Sequence, residues 1–174
     1  MAIQTYQYVL DFWFGARSSR DYLIEKSFWY GSPSDDAYMR KHLGGLYQNA
    51  KDGKLDSWKD AGEGEGALAL VLLLDQVPRN IFRDTPQAYA TDSQAISIAH
   101  YTIDKGWDKT LPVIQRRYMY SPLNHSENLK DQQRSVELFT DLGDSYHLRW
   151  AKNFHDQIKQ NGRFTHRDWI LHRS

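Results

Sequence analysis

The sequence predicts an all-α fold around one central buried helix, and three observations carry that reading. Apolar residues recur at helical spacing through most of the 174 residues. No stretch alternates with period two for long enough to make a strand. One segment, Leu68 to Arg83 (LALVLLLDQVPRNIFR), opens with seven consecutive apolar residues before turning to Asp75, Gln76, Arg79, Asn80 and Arg83. A bilayer span needs about 20 such residues, so the run reads as the most buried helix of a soluble domain. Burying each Leu or Val there is worth roughly 1.5–3 kcal/mol.

The other elements follow in chain order. Tyr6 to Phe14 is a short amphipathic helix, with Val9, Leu10, Trp13 and Phe14 on one face and Gly15 to close it. Arg17 to Asp21 is a charged turn, and Tyr22 to Tyr30 reads as a second helix ending at Gly31. Ser32 then Pro33 starts the next helix, Ser as N-cap and Pro in first position, with Asp35 and Asp36 favouring its N-terminus. That helix carries Met39, Leu43, Leu46 and Tyr47 and stops at Asp52-Gly53. Gly44-Gly45 weakens it by roughly 1 kcal/mol per residue, which points to a kink or a close helix contact. Asp60 to Gly66, with its glycines and glutamates, reads as a flexible loop before the central helix.

Beyond Arg83, Asp84-Thr85-Pro86 is a turn. Asp92 is expected to cap a helix with Ala95, Ile96, Ile98, Ala99 and Ile103 inward, closed by Gly106. Pro112 begins the next helix, with Val113, Ile114, Tyr118 and Met119 as its apolar set, and Pro122 is expected to end it. Ser121 to Asn128 then reads as a polar connector. Lys130 to Leu142 is an amphipathic helix burying Val136, Leu138 and Phe139. Tyr146 to Gln160 is the last long helix, with Trp150, Phe154 and Ile158 inward and Asn161-Gly162 as its stop. A basic tail, Gly162 to Ser174, makes one short helical turn. With no linker, low-complexity tract or repeat, residues 1–174 read as a single helical domain.

Composition narrows the function classes. Lys plus Arg and Asp plus Glu number 22 each, so no broad electrostatic footprint draws nucleic acid or an anionic membrane. Cysteine is absent, which excludes disulfides, thiolate metal sites and a cysteine nucleophile. The N-terminal MAIQTYQYVLDFWFG carries no basic residue before its apolar ones and no small-residue cleavage signal. The expected location is the cytoplasm.

Four places gather ionisable residues away from an obvious solvent face. At the end of the central segment, charged groups must pair or open into a cavity; Asp75 and Arg79, four apart, suit either a structural ion pair or a polar pocket. His125-Ser126-Glu127 is followed by Asp131 and Gln132; a His there serves as acid or base, or simply caps a helix end. His147 and His155 share one side of the last long helix. Arg163 to Asp168 closes the set. Ser126 lacks a nucleophile elbow. His125, Glu127, His155 and His166 are metal-ligating types without an HExxH motif, so neither metal nor cofactor is expected. Arg79, Arg83, Arg163 and Arg167 offer planar forks for carboxylate or phosphate. If the tail folds back onto the central helix, all four line one cleft, with Asp75 and Glu127 as counter-charges.

Together, LDFWFG (Leu10 to Gly15), LLLDQVPRNIFR (Leu72 to Arg83), ATD (Ala90 to Asp92), HSEN with DQQRS (His125 to Ser135) and NGRFTHR (Asn161 to Arg167) resemble the bacterial family catalogued as domain of unknown function 924. The similarity runs in the same order through nearly the whole chain. It implies irregular antiparallel helix pairs like those of the tetratricopeptide-repeat superfamily, and no particular reaction. It marks Asp75, Gln76, Pro78, Arg79, Arg83 and Asp92, then His125, Ser126, Glu127 and Gln132, then His155, Arg163, Phe164, His166 and Arg167. Val77, Asn124, Asn128, Thr165 and Asp168 depart from the family's usual residues, and the two Asn remove acids beside His125.

These observations point to a polar pocket for a small anionic molecule, with cofactor-independent acid–base or hydrolytic chemistry. His125 or His166 would be the acid–base group, oriented by Glu127 or Asp75. Arg79, Arg83, Gln76, Gln132, Arg163 and Arg167 would hold the substrate. The alternative is a tetratricopeptide-like scaffold for a protein or peptide. Oligomeric state is left open.

Overall fold

The computed structural model describes residues 5–174, and among them the chain is all-α with no strand. Residues 1–4, which open the stretch read for a signal peptide, lie outside the described residues. The helices are α1 (Tyr6–Phe14), α2 (Pro33–Lys51), α3 (Glu65–Val71), α4 (Val77–Ile81), α5 (Asp92–Asp104), α6 (Val113–His125), α7 (Leu129–Leu142), α8 (Ser145–Asn161) and α9 (Asp168–Leu171). Short 3₁₀ turns link several of them. No helix among them is long and apolar enough to cross a membrane.

The apolar run dictates the centre. Leu68 to Leu74 are at most 1% exposed, wrapped by α1 and α5 on α3 and by α2 along α4. Between α3 and α4 the helix widens into a π turn, Leu72–Gln76. Short connections after α6 and α7 force antiparallel neighbours, and α6, α7 and α8 pack in sequence. At the N-terminal side, Trp13, Phe14, Trp29 and Tyr118 pack as one aromatic cluster, centroids 5.4–6.2 Å apart. The Trp29 indole donates to the Trp13 carbonyl at 2.9 Å.

The signals at α2 act as their chemistry dictates: Ser32 Oγ accepts from the Asp35 amide at 3.2 Å and Pro33 opens the helix. Elsewhere the structure corrects the sequence reading. Tyr22 to Tyr30 is not a helix; it holds a single 3₁₀ turn, Ser27–Trp29. Leu23 takes a left-handed φ of 62° and its amide turns back to the Phe14 carbonyl at 2.9 Å. The pair Gly44-Gly45 makes no close helix contact, since a Cβ at Gly45 would meet nothing within 4 Å. Asp60 to Gly66 is a run of 3₁₀ turns entering α3, and Gly66 is buried there because a Cβ would be driven into the Trp58 carbonyl.

Three further corrections concern the C-terminal half. Pro122 sits inside α6, so His125 lies on that helix's last turn and not in a connector. The buried positions of α7 are Gln132, Ser135 and Phe139, with Val136 and Leu138 only half-buried. Trp150 is 47% exposed and Phe154 half-buried; α8 buries Ile158 as expected, and Ala151 in place of Trp150.

Candidate functional site

Pro78 carries no amide hydrogen, so it cannot give the Leu74 carbonyl one turn earlier the usual helical bond. Thr91 Oγ donates to that buried carbonyl at 2.5 Å. Thr91 is the residue before α5, and pinning it there delivers Asp92 to Arg79. The expected capping role of Asp92 is thereby overturned: its carboxylate accepts a two-pronged bond from Arg79, Nη1 to Oδ1 at 2.7 Å and Nη2 to Oδ2 at 3.0 Å. Arg79 Nη1 also reaches Asp75, at 3.2 Å to Oδ1 and 2.9 Å to the backbone oxygen.

Asp75 is fully buried in the π turn. Its Oδ1 lies 2.7 Å from His125 Nδ1 and its Oδ2 accepts from Gln76 Nε2 at 3.1 Å. Burial alone would push this carboxyl up, but His125 and Arg79, with the Gln76 hydrogen bond, outweigh it and hold it below the ordinary range. A carboxylate only accepts, so Nδ1 of His125 carries a proton. The other ring nitrogen, Nε2, makes no hydrogen bond among the described residues.

Against His125, with Asp75 buried behind it, lies a cavity of about 310 Å³, walled by Arg79, Tyr89, His125, Phe164, His166 and Arg167. The tail does fold back, as its position requires: Arg167 Nη2 donates to the His125 carbonyl at 3.0 Å, and its guanidinium sits over the rings of Tyr89 at 4.5 Å and Phe164 at 4.7 Å. Its side chain is only 7% exposed, and its nearest carboxylate is Asp92 at 3.7 Å. The buried Nε of Arg167 has no partner among the described residues. Burial first, then the neighbouring Arg79, push the Arg167 guanidinium down; Asp92 and Glu127 oppose this. Burial and the same Arg167 also lower His166, which favours its neutral ring.

The remaining candidates are placed differently. Arg83 lines the cavity, but its fork is held by Asp36 at 3.0 and 3.2 Å. Arg163 is taken by Asp168 at 3.0 Å and lies outside the cavity wall. Glu127 orients neither His125 nor His166: it accepts from the Phe164 amide at 2.7 Å and from Arg173 at 2.7 and 3.2 Å, bracing the tail. Burial would raise Glu127, yet Arg173 and the Phe164 amide bring it below its usual value. Buried Gln132 donates to the carbonyls of Asn124 at 2.9 Å and Ser126 at 2.7 Å, fixing the helix end that carries His125. His155 stands apart, beside Asp156 at 3.4 Å. Asn128 caps α7, accepting from the Lys130 amide at 2.9 Å.

The structure adds Tyr89 and Arg173 to the neighbourhood. No pattern in the sequence singles them out: one is a lone aromatic in a turn, the other the penultimate residue of a basic tail. Among the described residues, no three His, Asp or Glu side chains gather as a metal-holding group.

No curated protein matches the chain. A solved structure of a protein of unknown function from Agrobacterium tumefaciens is similar to it, with a TM-score of 0.84 and 32% identity over 97% of this chain and 90% of that one. The family model described as a bacterial protein of unknown function, DUF924, matches residues 9–174. With the motifs, the helices and this match in agreement, the chain belongs to the DUF924 family.

Proposed function

We propose that the cavity binds a small anionic molecule against Arg167 and that His125, oriented by Asp75, acts on it as a general acid–base without a cofactor. The observation that carries this is the pairing, in one cavity, of a buried unpartnered Arg167 Nε with an aspartate-anchored His125. A buried guanidinium donor without an acceptor leaves a desolvation cost that an anionic ligand would relieve. His125 Nε2 can take a proton from water or substrate while Nδ1–H stays on the Asp75 carboxylate, which stabilises the imidazolium formed. The residues most closely tied to the cavity's chemistry are therefore His125, Asp75, His166 and Arg167. Arg79 and Gln76 hold Asp75, Arg83 and Gln132 hold the wall and the helix end, and Glu127 and Arg163 hold the tail.

A continuous hydrophobic cluster from α1 to α8 supports one helical domain, and we place that domain in the cytoplasm. A thermal-shift screen of carboxylate and phosphate metabolites tests the function. A hit should stabilise the wild type and lose its effect in both His125→Ala and Arg167→Ala, with helical circular dichroism retained. Unchanged stabilisation in both variants would refute the reading.

The tetratricopeptide-like scaffold is a second reading, favoured by the exposed aromatics Tyr146 at 60%, Trp150 at 47% and Trp169 at 89%. It predicts one saturable protein partner in a pull-down, lost when Trp150 and Trp169 are both changed to Ala and unaffected by Arg167→Ala.

A further inference from the structure

A larger cavity, about 530 Å³, opens on the other side of Asn124, which walls both spaces. Its volume lies within the roughly 300–1,000 Å³ of small-molecule sites. One wall is aromatic, with Trp29, Tyr118 and Phe139 inside, and Tyr30, Tyr146 and the Glu25 carboxylate stand exposed at the rim.

The charges in this space do not balance. Arg117 is paired with Asp144 at 2.6 Å, and Asp144 also accepts from the His147 amide at 3.1 Å and meets the His147 ring at 2.8 Å. Arg117 and Asp144 offset each other's charge, although the Arg117 Nε makes no hydrogen bond among the described residues. Glu25 is exposed, and among the described residues its carboxylate is met by the Tyr30 hydroxyl and by no cation within ion-pair distance. The polar handle of Trp29 is spent on the Trp13 carbonyl, so its apolar surface is what remains for this space. Burial pushes the Tyr118 phenol up, so that ring too is neutral at physiological pH.

An uncompensated carboxylate among electron-rich ring faces attracts an organic cation, through charge at Glu25 and through the ring quadrupoles. We propose that the cavity between Glu25–Tyr30, α6 and the start of α8 is a second binding site, taking a primary ammonium group carried on an aromatic or alkyl body. The ammonium sits between Glu25 and the rings of Tyr30 and Tyr146, and the body lies on Trp29, Tyr118 and Phe139. This site stands independently of the Arg167 cavity.

The test is titration of the full chain at neutral pH with phenethylammonium, followed by ring signals in NMR and by tryptophan fluorescence. Two shape analogues, 2-phenylethanol (neutral) and 3-phenylpropionate (anionic), serve as comparisons. Phenethylammonium should bind saturably and shift the Trp29 and Tyr118 ring signals, with the alcohol roughly tenfold weaker and the acid weaker still. Glu25→Gln should reduce phenethylammonium to the level of the alcohol, and Arg167→Ala should leave it unchanged. Equal or tighter binding of the alcohol or the acid, wild-type affinity in Glu25→Gln, or no saturable binding would each overturn the proposal. The probe series on the wild type decides the matter even if a variant is damaged.

Discussion

Asp75→Asn is the perturbation that the site's geometry predicts most fully. The substitution keeps the shape of a fully buried side chain and removes its charge. His125 loses an ionic acceptor at 2.7 Å and Arg79 one at 3.2 Å, but Arg79 keeps its two-pronged bond to Asp92. Breaking one partner of a buried ion pair costs about 3–5 kcal/mol. The surviving Asp92 contact puts this case near the lower end, about 3 kcal/mol. For a chain of this size that corresponds to a fall in Tm of roughly 6–12 °C. The pH dependence fixes the cause. Asp75 is held below the ordinary carboxylate range, so its contribution is present in full above that range and fades as pH falls through the native value. Urea unfolding across pH 2–7 should therefore show a constant gap between wild type and variant at neutral pH, narrowing in acid. A gap that stays constant to pH 2, or a variant as stable as the wild type at pH 7, would refute the reasoning.

Two other predictions are structural. Gly66→Ala drives a methyl into the Trp58 carbonyl and should cost about 1–3 kcal/mol, whereas Gly45→Ala, mid-helix and facing open space, should gain about 0.5–1 kcal/mol; thermal melts of both check the opposite signs. Glu127→Gln weakens the bonds from Arg173 and the Phe164 amide, so exchange of the Phe164 amide should rise about tenfold, matching a local loss of about 1.4 kcal/mol. Because Glu127 sits below its usual value, the same protection should fade in the wild type as pH drops through its native value.

Much of the fold could be read before the structure because local chemistry decides it. The α2 start (Ser32-Pro33), the stop at Asn161-Gly162 with Gly162 at φ 73°, and the apolar run through Leu74 all rest on near-neighbour rules. The Asp75–Arg79 spacing likewise sets up the observed pair. The π turn could not be read, since LLLDQ suits an ordinary helix equally well and what accompanies the wider turn is Pro78 together with Thr91 from a distant segment. Pro122 misled for a related reason: in isolation it ends a helix, but packing of buried Leu123 and Pro122 carries α6 another turn to His125. Trp150 fits a helical stripe and yet faces outward, because Ala151 is the residue that lets α8 close on its neighbours. At the site, Arg forks were visible as residue types, but not which carboxylate each would find; Asp36 and Asp92 reach Arg83 and Arg79 from other segments of the chain, and only Asp168 lies near its partner Arg163 in sequence.

The account turns on whether the buried Arg167 guanidinium is the group that an anion in the cavity meets. Its Nε–H resonance, followed by nitrogen-edited NMR during titration with inorganic phosphate and then with succinate, reads that contact directly. We predict a saturable shift of the Arg167 Nε–H and of the His125 ring with at least one of the two, the His125 shift being lost in Arg167→Ala. An Arg167 signal that does not respond to either anion, or a His125 shift that persists in the variant, would contradict it.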